Sequence, residues 1–224
     1  MNNIDMEIPQ LYKLKASDRE KLIKTYMSAF RGYPKLMNVF PDNNKRLCAL
    51  EATLRYYTSY DLRYGSGFSI DENVNEAVLA VHSSQMHYSF LRHLRAGSYS
   101  HGYRAAMKKL SGSDRRMRIE LFKELDLLEK TITIPSPHIY VDFLGVAERY
   151  QQQGRGRKLM SHLCRYADIH DIPLMLFTNT AEDIRFYQSL GFDIIGKTSS
   201  EKFGFVNIYL LYGAGRSMDD PSDA

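Results

Sequence analysis

The stretch 139–167 constrains this chain more than any other. An apolar run at 139–146 reads as a strand and an amphipathic run at 157–167 reads as a helix. Between them stands Gln151-Gln152-Gln153-Gly154-Arg155-Gly156. Two glycines at this spacing let the backbone turn sharply and approach a ligand without a Cβ in the way, so that successive N–H groups can converge on phosphate oxygens. The following helix adds its unsatisfied first-turn N–H groups and the positive end of its dipole. The arrangement predicts a pyrophosphate site, although a plain tight turn would use the same two glycines.

A second signal lies downstream. Residues 180–192 read as a short helix opened by Thr180, with Asp183 three residues on in the manner of a capping box, and closed by Gly191. In order, the chain has a strand, a Gln-x-x-Gly-x-Gly turn, a helix, a second strand at 174–178, and a short helix ending in Phe186-Tyr187 and Gly191-Phe192. This succession resembles the GNAT superfamily of N-acetyltransferases over about residues 138–212. The segment 138–146 is similar to the branch of small-molecule acetyltransferases that includes puromycin N-acetyltransferase.

The resemblance implies a mixed α/β fold, with a mostly antiparallel sheet that contains one splayed parallel pair and is flanked by helices. The reaction it implies is transfer of the acetyl group of acetyl-CoA to a primary amine of a small molecule, by direct attack in a ternary complex and without a metal. The pantetheine of coenzyme A would lie where strand 139–146 parts from strand 174–178, against Leu144, Gly145 and Val146. Gln151, Gln152, Gln153, Gly154, Arg155, Gly156 and Arg157 would receive the pyrophosphate, mostly through main-chain N–H groups, so the two glycines should matter more than the side chains. Tyr187 takes the family's general-acid position and Asn179 a cofactor-binding one, but the usual asparagine of that helix falls here on Thr180.

The general base is less well marked. Histone-type members place a glutamate where this chain has Tyr140, which weakens a histone reading. Period-2 alternation puts His138, Tyr140, Asp142 and Leu144 on one strand face. Asp142 or His138, acting through water, are therefore candidates, with His82 a further one; Asp142 is equally an ordinary strand carboxylate.

The remaining sequence is compatible with one domain over 1–224. Its 224 residues, 44% of them hydrophobic, suffice for one core, and no Pro/Gly/Ser-rich linker or charge block divides them. The pattern predicts helices after Ser17-Asp18-Arg19-Glu20, read as a capping box, and after Asp42, with Gly32 and Pro34 ending the first. The Asp42 helix carries Leu47, Leu50, Leu54 and Tyr57 on one face. A hairpin is predicted at 67–70 and 77–82, a helical insertion at 85–130 with a cap near Ser113, and closing strands at 193–197 and 205–212. Tyr56, Tyr57, Tyr60 and Tyr64 would suit an aromatic pocket, though a half-buried helix shows the same spacing.

Charge and cysteine usage narrow the alternatives. The net charge of +4 is concentrated at 85–118, where Arg92, Arg95, Arg104, Lys108, Lys109, Arg115, Arg116 and Arg118 face one acid, Asp114. No nucleic-acid-binding signature accompanies this cluster, so a solvated helix face or attraction of an anionic ligand is expected rather than a nucleic-acid partner. Cys48 and Cys164 fall on apolar helix faces and are expected to be reduced. Residues 1–5 are neither basic nor apolar, and no apolar run suits a bilayer, so a cytoplasmic monomer or homodimer away from membranes is expected. Phosphate-loop, nucleophile-elbow and zinc spacings are absent from the sequence. The competing readings are a non-catalytic acyl-CoA sensor and a protein or peptide N-acetyltransferase.

Overall fold

The computed structural model describes residues 6–213; the reading of residues 1–5 lies outside the described residues. Apolar alternation along the chain produces one seven-stranded sheet. Its strands are β1 (Tyr12–Lys13), β2 (Ser66–Ser69), β3 (Glu76–His82), β4 (Ile139–Val146), β5 (Leu174–Thr178), β6 (Asp193–Ser200) and β7 (Phe205–Tyr212). They lie in the order β1-β2-β3-β4-β5-β7-β6. Every pairing is antiparallel except β4 with β5.

Eight helices flank the sheet among the described residues: α1 (Arg19–Phe30), α2 (Pro34–Val39), α3 (Asn43–Tyr64), α4 (Phe90–Ala96), α5 (His101–Lys108), α6 (Gly112–Glu129), α7 (Arg155–His170) and α8 (Ala181–Gln188). Asp42 caps α3 as expected, accepting the Lys45 N–H at 2.8 Å. The cap of α6 is Ser111 rather than Ser113, because only Ser111 has an acid three residues on to return the bond. Its hydroxyl accepts the Asp114 N–H, and Asp114 accepts the Ser111 N–H, each at 3.1 Å. The box predicted at Ser17 does not form. Asp18 instead closes a short 3-10 turn, taking the Lys15 N–H at 2.9 Å and the Tyr12 hydroxyl at 3.0 Å. Pro34, expected as a terminator, opens α2 at a position where its missing N–H costs nothing.

Packing, more than helix propensity, fixes these elements. On one face, Leu159 and Leu163 of α7 bury against Ile139, Val141, Leu174 and Leu176. On the other, Leu22 of α1 and Leu54 of α3 cover Ala77 and Leu79. Each fully buried leucine contributes about 1.5–3 kcal/mol, more than the spread of helix propensity at one site. Further along, Leu121 of α6 packs with Phe203 and Phe205.

One irregularity decides the geometry of the site. The β3–β4 register passes from Leu79↔Phe143 to Ala80↔Val141, leaving Asp142 with no residue opposite. Such a bulge reverses the in/out alternation beyond it. Leu144 consequently packs with Ile139 and Val141 on the α7 side, while Tyr140 and Phe143 lie in clusters on the opposite face. The expectation that His138, Tyr140, Asp142 and Leu144 share a face fails for this reason.

Candidate active site

The parallel ladder between β4 and β5 is short. It pairs only Ile139 with Leu174 and Tyr140 with Met175, although the strands continue to Val146 and Thr178. Beyond Met175 the two strands part, and a cavity of about 1400 Å³ opens along the seam. Val146, Gly154 and Tyr187 line one part of it, and Tyr57, Arg118 and Phe122 another.

The glycine turn borders this cavity. Gly154 is the N-cap of α7 with φ +74°, and Gln152 also has positive φ, +57°. A Cβ on Gly154 would meet nothing within 4 Å, so the requirement there is the left-handed backbone itself. At Gly156 the reason is different. A Cβ would stand 3.5 Å from Val146 Cγ2 and 3.8 Å from Phe186 Cζ, filling the space between β4 and α8.

Most side chains of the turn point back into the protein. Gln151 Nε2 donates to the Val146 carbonyl at 3.0 Å and Gln153 Nε2 to that of Arg149 at 3.2 Å. The Arg155 guanidinium pairs with fully buried Glu76 and, at 3.4 Å, with Asp71. Arg157 donates to the Ser189 carbonyl at 3.3 Å and its hydroxyl at 2.5 Å. The turn is thus braced by its side chains, and its main-chain N–H groups are what it offers to an anion. This fits a diphosphate, and the opened seam fits an extended arm beside β4.

Tyr187 lies on the wall of the cavity near the end of α8, its ring against Phe186 and Phe192. Burial foremost, then the charge of Asp183 and the neighbouring Tyr33, raises its hydroxyl well above the ordinary phenol range. Asn179 is placed differently. Its amide donates to the Val206 carbonyl and, at 2.7 Å, to Asn207 Oδ1, while its Oδ1 accepts from Tyr33 at 3.3 Å. The side chain predicted to meet a cofactor is therefore engaged in tying β5 to β7 and to Tyr33. Thr180 does cap α8, accepting the Asp183 N–H at 3.0 Å, but the Asp183 carboxylate takes the Thr178 hydroxyl at 2.8 Å and does not complete a box.

Asp142 lines the cavity at the bulge, facing Asp61 of α3. Asp61 is fully buried, and both its oxygens and Asp142 Oδ2 lack any donor from a third residue. Two carboxyls so placed cannot both ionise, and a proton between them satisfies the orphaned oxygens. Burial, and then the charge of Asp142, hold Asp61 protonated; its hydrogen bond tempers the effect of burial on Asp142, which titrates at about 6. Nearby, burial and the charges of Asp142 and Asp126 raise Glu129 to about 7. His138 and His82 have partners of their own, the Pro135 carbonyl and the Ser84 hydroxyl.

Several cavity residues were not singled out from sequence. Lys35 stands over the rings of Phe177 and Phe205, at 4.5 and 5.1 Å, and burial lowers its amine to about 7. Tyr33, at the N-cap of α2, reaches across to Thr178 and Asn179. Of the tyrosines predicted to line a pocket, Tyr56 and Tyr57 do so, while Tyr60 sends its hydroxyl to the Gln85 carbonyl at 2.7 Å. Asp61 did leave a trace, since it continues the stripe Leu50, Leu54 and Tyr57 as a carboxylate in an apolar position. Lys35 and Tyr33 left none, because contacts distant in sequence define them.

A mixed sheet parted at its one parallel pair, with a glycine turn below the gap, defines the acyl-CoA N-acyltransferase, or GNAT, fold. Residues 124–194 match the family model described as an acetyltransferase (GNAT) domain. Among solved structures, similarity extends to one described as histone acetyltransferase HPA2 and related acetyltransferase from Corynebacterium glutamicum. It has 15% identity and a TM-score of 0.58, covering 95% of this chain and 99% of that one. The ribosomal-protein-S18-alanine N-acetyltransferase of Escherichia coli is similar at 12% identity and a TM-score of 0.52, covering 94% and 96%. A Pyrococcus horikoshii protein is similar at 12% and 0.51, covering 92% and 97%. A comparison with curated protein sequences finds no significant match. No helix among the described residues is long and apolar enough to cross a membrane.

Proposed function

We propose that this protein transfers the acetyl group of acetyl-CoA to a primary amine of a small molecule, in a ternary complex. The observation that carries the reading is the parting of β4 from β5 directly beside the left-handed Gly154 turn, with Tyr187 on the wall of the gap. Main-chain N–H groups of 152–157 hold the diphosphate, that of Gln151 being donated to the Glu148 carbonyl at 3.2 Å, and the β4 edge at Leu144, Gly145 and Val146 takes the pantetheine arm. Asn179 serves this surface indirectly, by fixing Tyr33 and the end of β5.

Acetyl-CoA supplies an activated thioester; the remaining chemistry is proton handling. An aliphatic amine arrives mostly protonated at neutral pH. Asp142, titrating at about 6, is ionised there and accepts that proton, directly or through water. The freed nitrogen forms its bond to the acetyl carbon as the carbon–sulfur bond breaks. Tyr187, held protonated by burial, donates to the departing sulfur. Asp61 is a positioning residue that keeps Asp142 ionisable.

A small acceptor, as in the branch that includes puromycin N-acetyltransferase, is supported by the way Phe90, Tyr99 and Phe122 of the helical insertion wall the cavity. Calorimetry with acetyl-CoA tests the cofactor reading, and saturable binding is expected. Its absence overturns the whole proposal. Binding without thiol release across a panel of amines, polyamines and peptides would favour a sensor instead.

A further inference from the structure

We infer that the acceptor carries, besides its reacting amine, a carboxylate that Arg118 receives within the same cavity. This deepens the acetyl-transfer reading and rests on it. Arg118 lies on α6, is only 6% exposed, and lines the cavity. Its Nε donates to Thr53 Oγ1 at 3.2 Å. Its plane is held among aromatic rings, with Phe122 at 4.7 Å and Tyr103 and Tyr56 at 5.9 and 6.0 Å.

Nothing anionic answers this charge. No carboxylate among the described residues lies within 4.0 Å of it, and its buried Nη2 has no acceptor. A buried guanidinium without a counter-charge is costly, and its rigid fork is matched to a carboxylate. The fold therefore maintains a preformed anion receptor in the wall of a cavity whose other pole is acidic. Asp142, Asp126 and Glu129 line that pole. Tyr57 lines the same cavity; burial foremost raises its hydroxyl, with Asp142 adding to the rise and Arg118 opposing it. An amino acid or a similar zwitterion matches such a cavity: its ammonium lies toward Asp142 and its carboxylate toward Arg118. A simple polyamine would leave Arg118 unanswered and bring a second cation beside it.

The test uses the full chain with saturating acetyl-CoA and matched acceptors: α- and ω-amino acids of increasing length, their methyl esters and their decarboxylated amines. Thiol release should show at least one acid with kcat/KM about tenfold or more above its ester, as expected for one charge-assisted contact. Arg118→Met, which keeps the volume, should erase that preference while acetyl-CoA affinity by calorimetry and the melting temperature stay near wild type. Arg118→Lys should restore part of it. Equal use of acids and esters, or discrimination that survives Arg118→Met, overturns the inference. Discrimination that survives Arg118→Met but vanishes in Lys35→Met would place the anion at Lys35, another basic residue lining the cavity, and equally overturn it. If no acid is acetylated while acetyl-CoA still binds, the acceptor class falls and the cofactor reading stands.

Discussion

At Tyr187, motif position and environment supply different parts of the argument. The sequence pattern singled out this tyrosine among sixteen, but its surroundings define how it can act. Burial raises the phenol above the thiol of the leaving group, so complete proton transfer is uphill even to the fully released thiolate. Tyr187 therefore acts first as a hydrogen-bond donor. Tyr187→Phe keeps the ring between Phe186 and Phe192, so folding and acetyl-CoA affinity should change little. Turnover should fall about tenfold or more, at or below the usual range for one general acid. Steady-state kinetics with unchanged kcat would remove Tyr187 from the chemistry. Tyr33, whose hydroxyl contacts the same strand end, has no comparable motif and becomes visible only through its bonds to Asn179.

Among the elements, the turn before α7 offers the cleanest test of cofactor binding. Gly154→Val forces a β-branched residue into a left-handed conformation, a strain of about 1–2 kcal/mol. Strain of that size lowers the melting temperature by roughly 2–8 °C in a chain of this length. The buried leucines of α7 hold the fold, and the turn relaxes instead, misdirecting its N–H groups. Calorimetry should show acetyl-CoA affinity lost in a variant whose circular dichroism remains native; wild-type affinity would contradict the proposed turn. Replacing Arg155 would be less informative, because fully buried Glu76 would lose its counter-charge at about 3–5 kcal/mol. The caps at Asp42 and Thr180 were legible, but Ser17, with Glu20 in the matching position, caps no helix, and the cap of α6 is Ser111 rather than Ser113. The bulge at Asp142 was not legible, because alternation within one strand carries no record of the partner's register.

Across the whole molecule, the acid pair joins α3 to β4 and can be examined by pH. Protonation of Asp142 through about pH 6 removes the base, so kcat/KM should rise with pH across that region. In Asp61→Leu the hydrogen bond that favours the charged form is lost, and the midpoint should move to higher pH; Asp61→Asn, which keeps a donor, should leave it near wild type. An unmoved midpoint in Asp61→Leu would remove Asp61 from the proton path. The linkage to folding has the opposite sense. Both carboxyls titrate higher folded than unfolded, so the stability they contribute is complete below the ordinary carboxylate range near ~4 and is lost as pH rises, through about 6 for Asp142 and higher still for Asp61.

The sequence alone determined the local pieces: a strand, a glycine turn and a helix at 139–167, a short capped helix with Tyr187 near its end, and the family these resemble. Hydrophobic period, capping and glycine conformation act over a few residues, so they can be read directly. The tertiary structure alone decided where β4 leaves β5, which face of β4 carries Leu144, that Asp61 shares a proton with Asp142, and that Arg118 is buried without a counter-charge. Each of these depends on desolvation or register between segments far apart in the chain, and neither quantity exists until those segments pack.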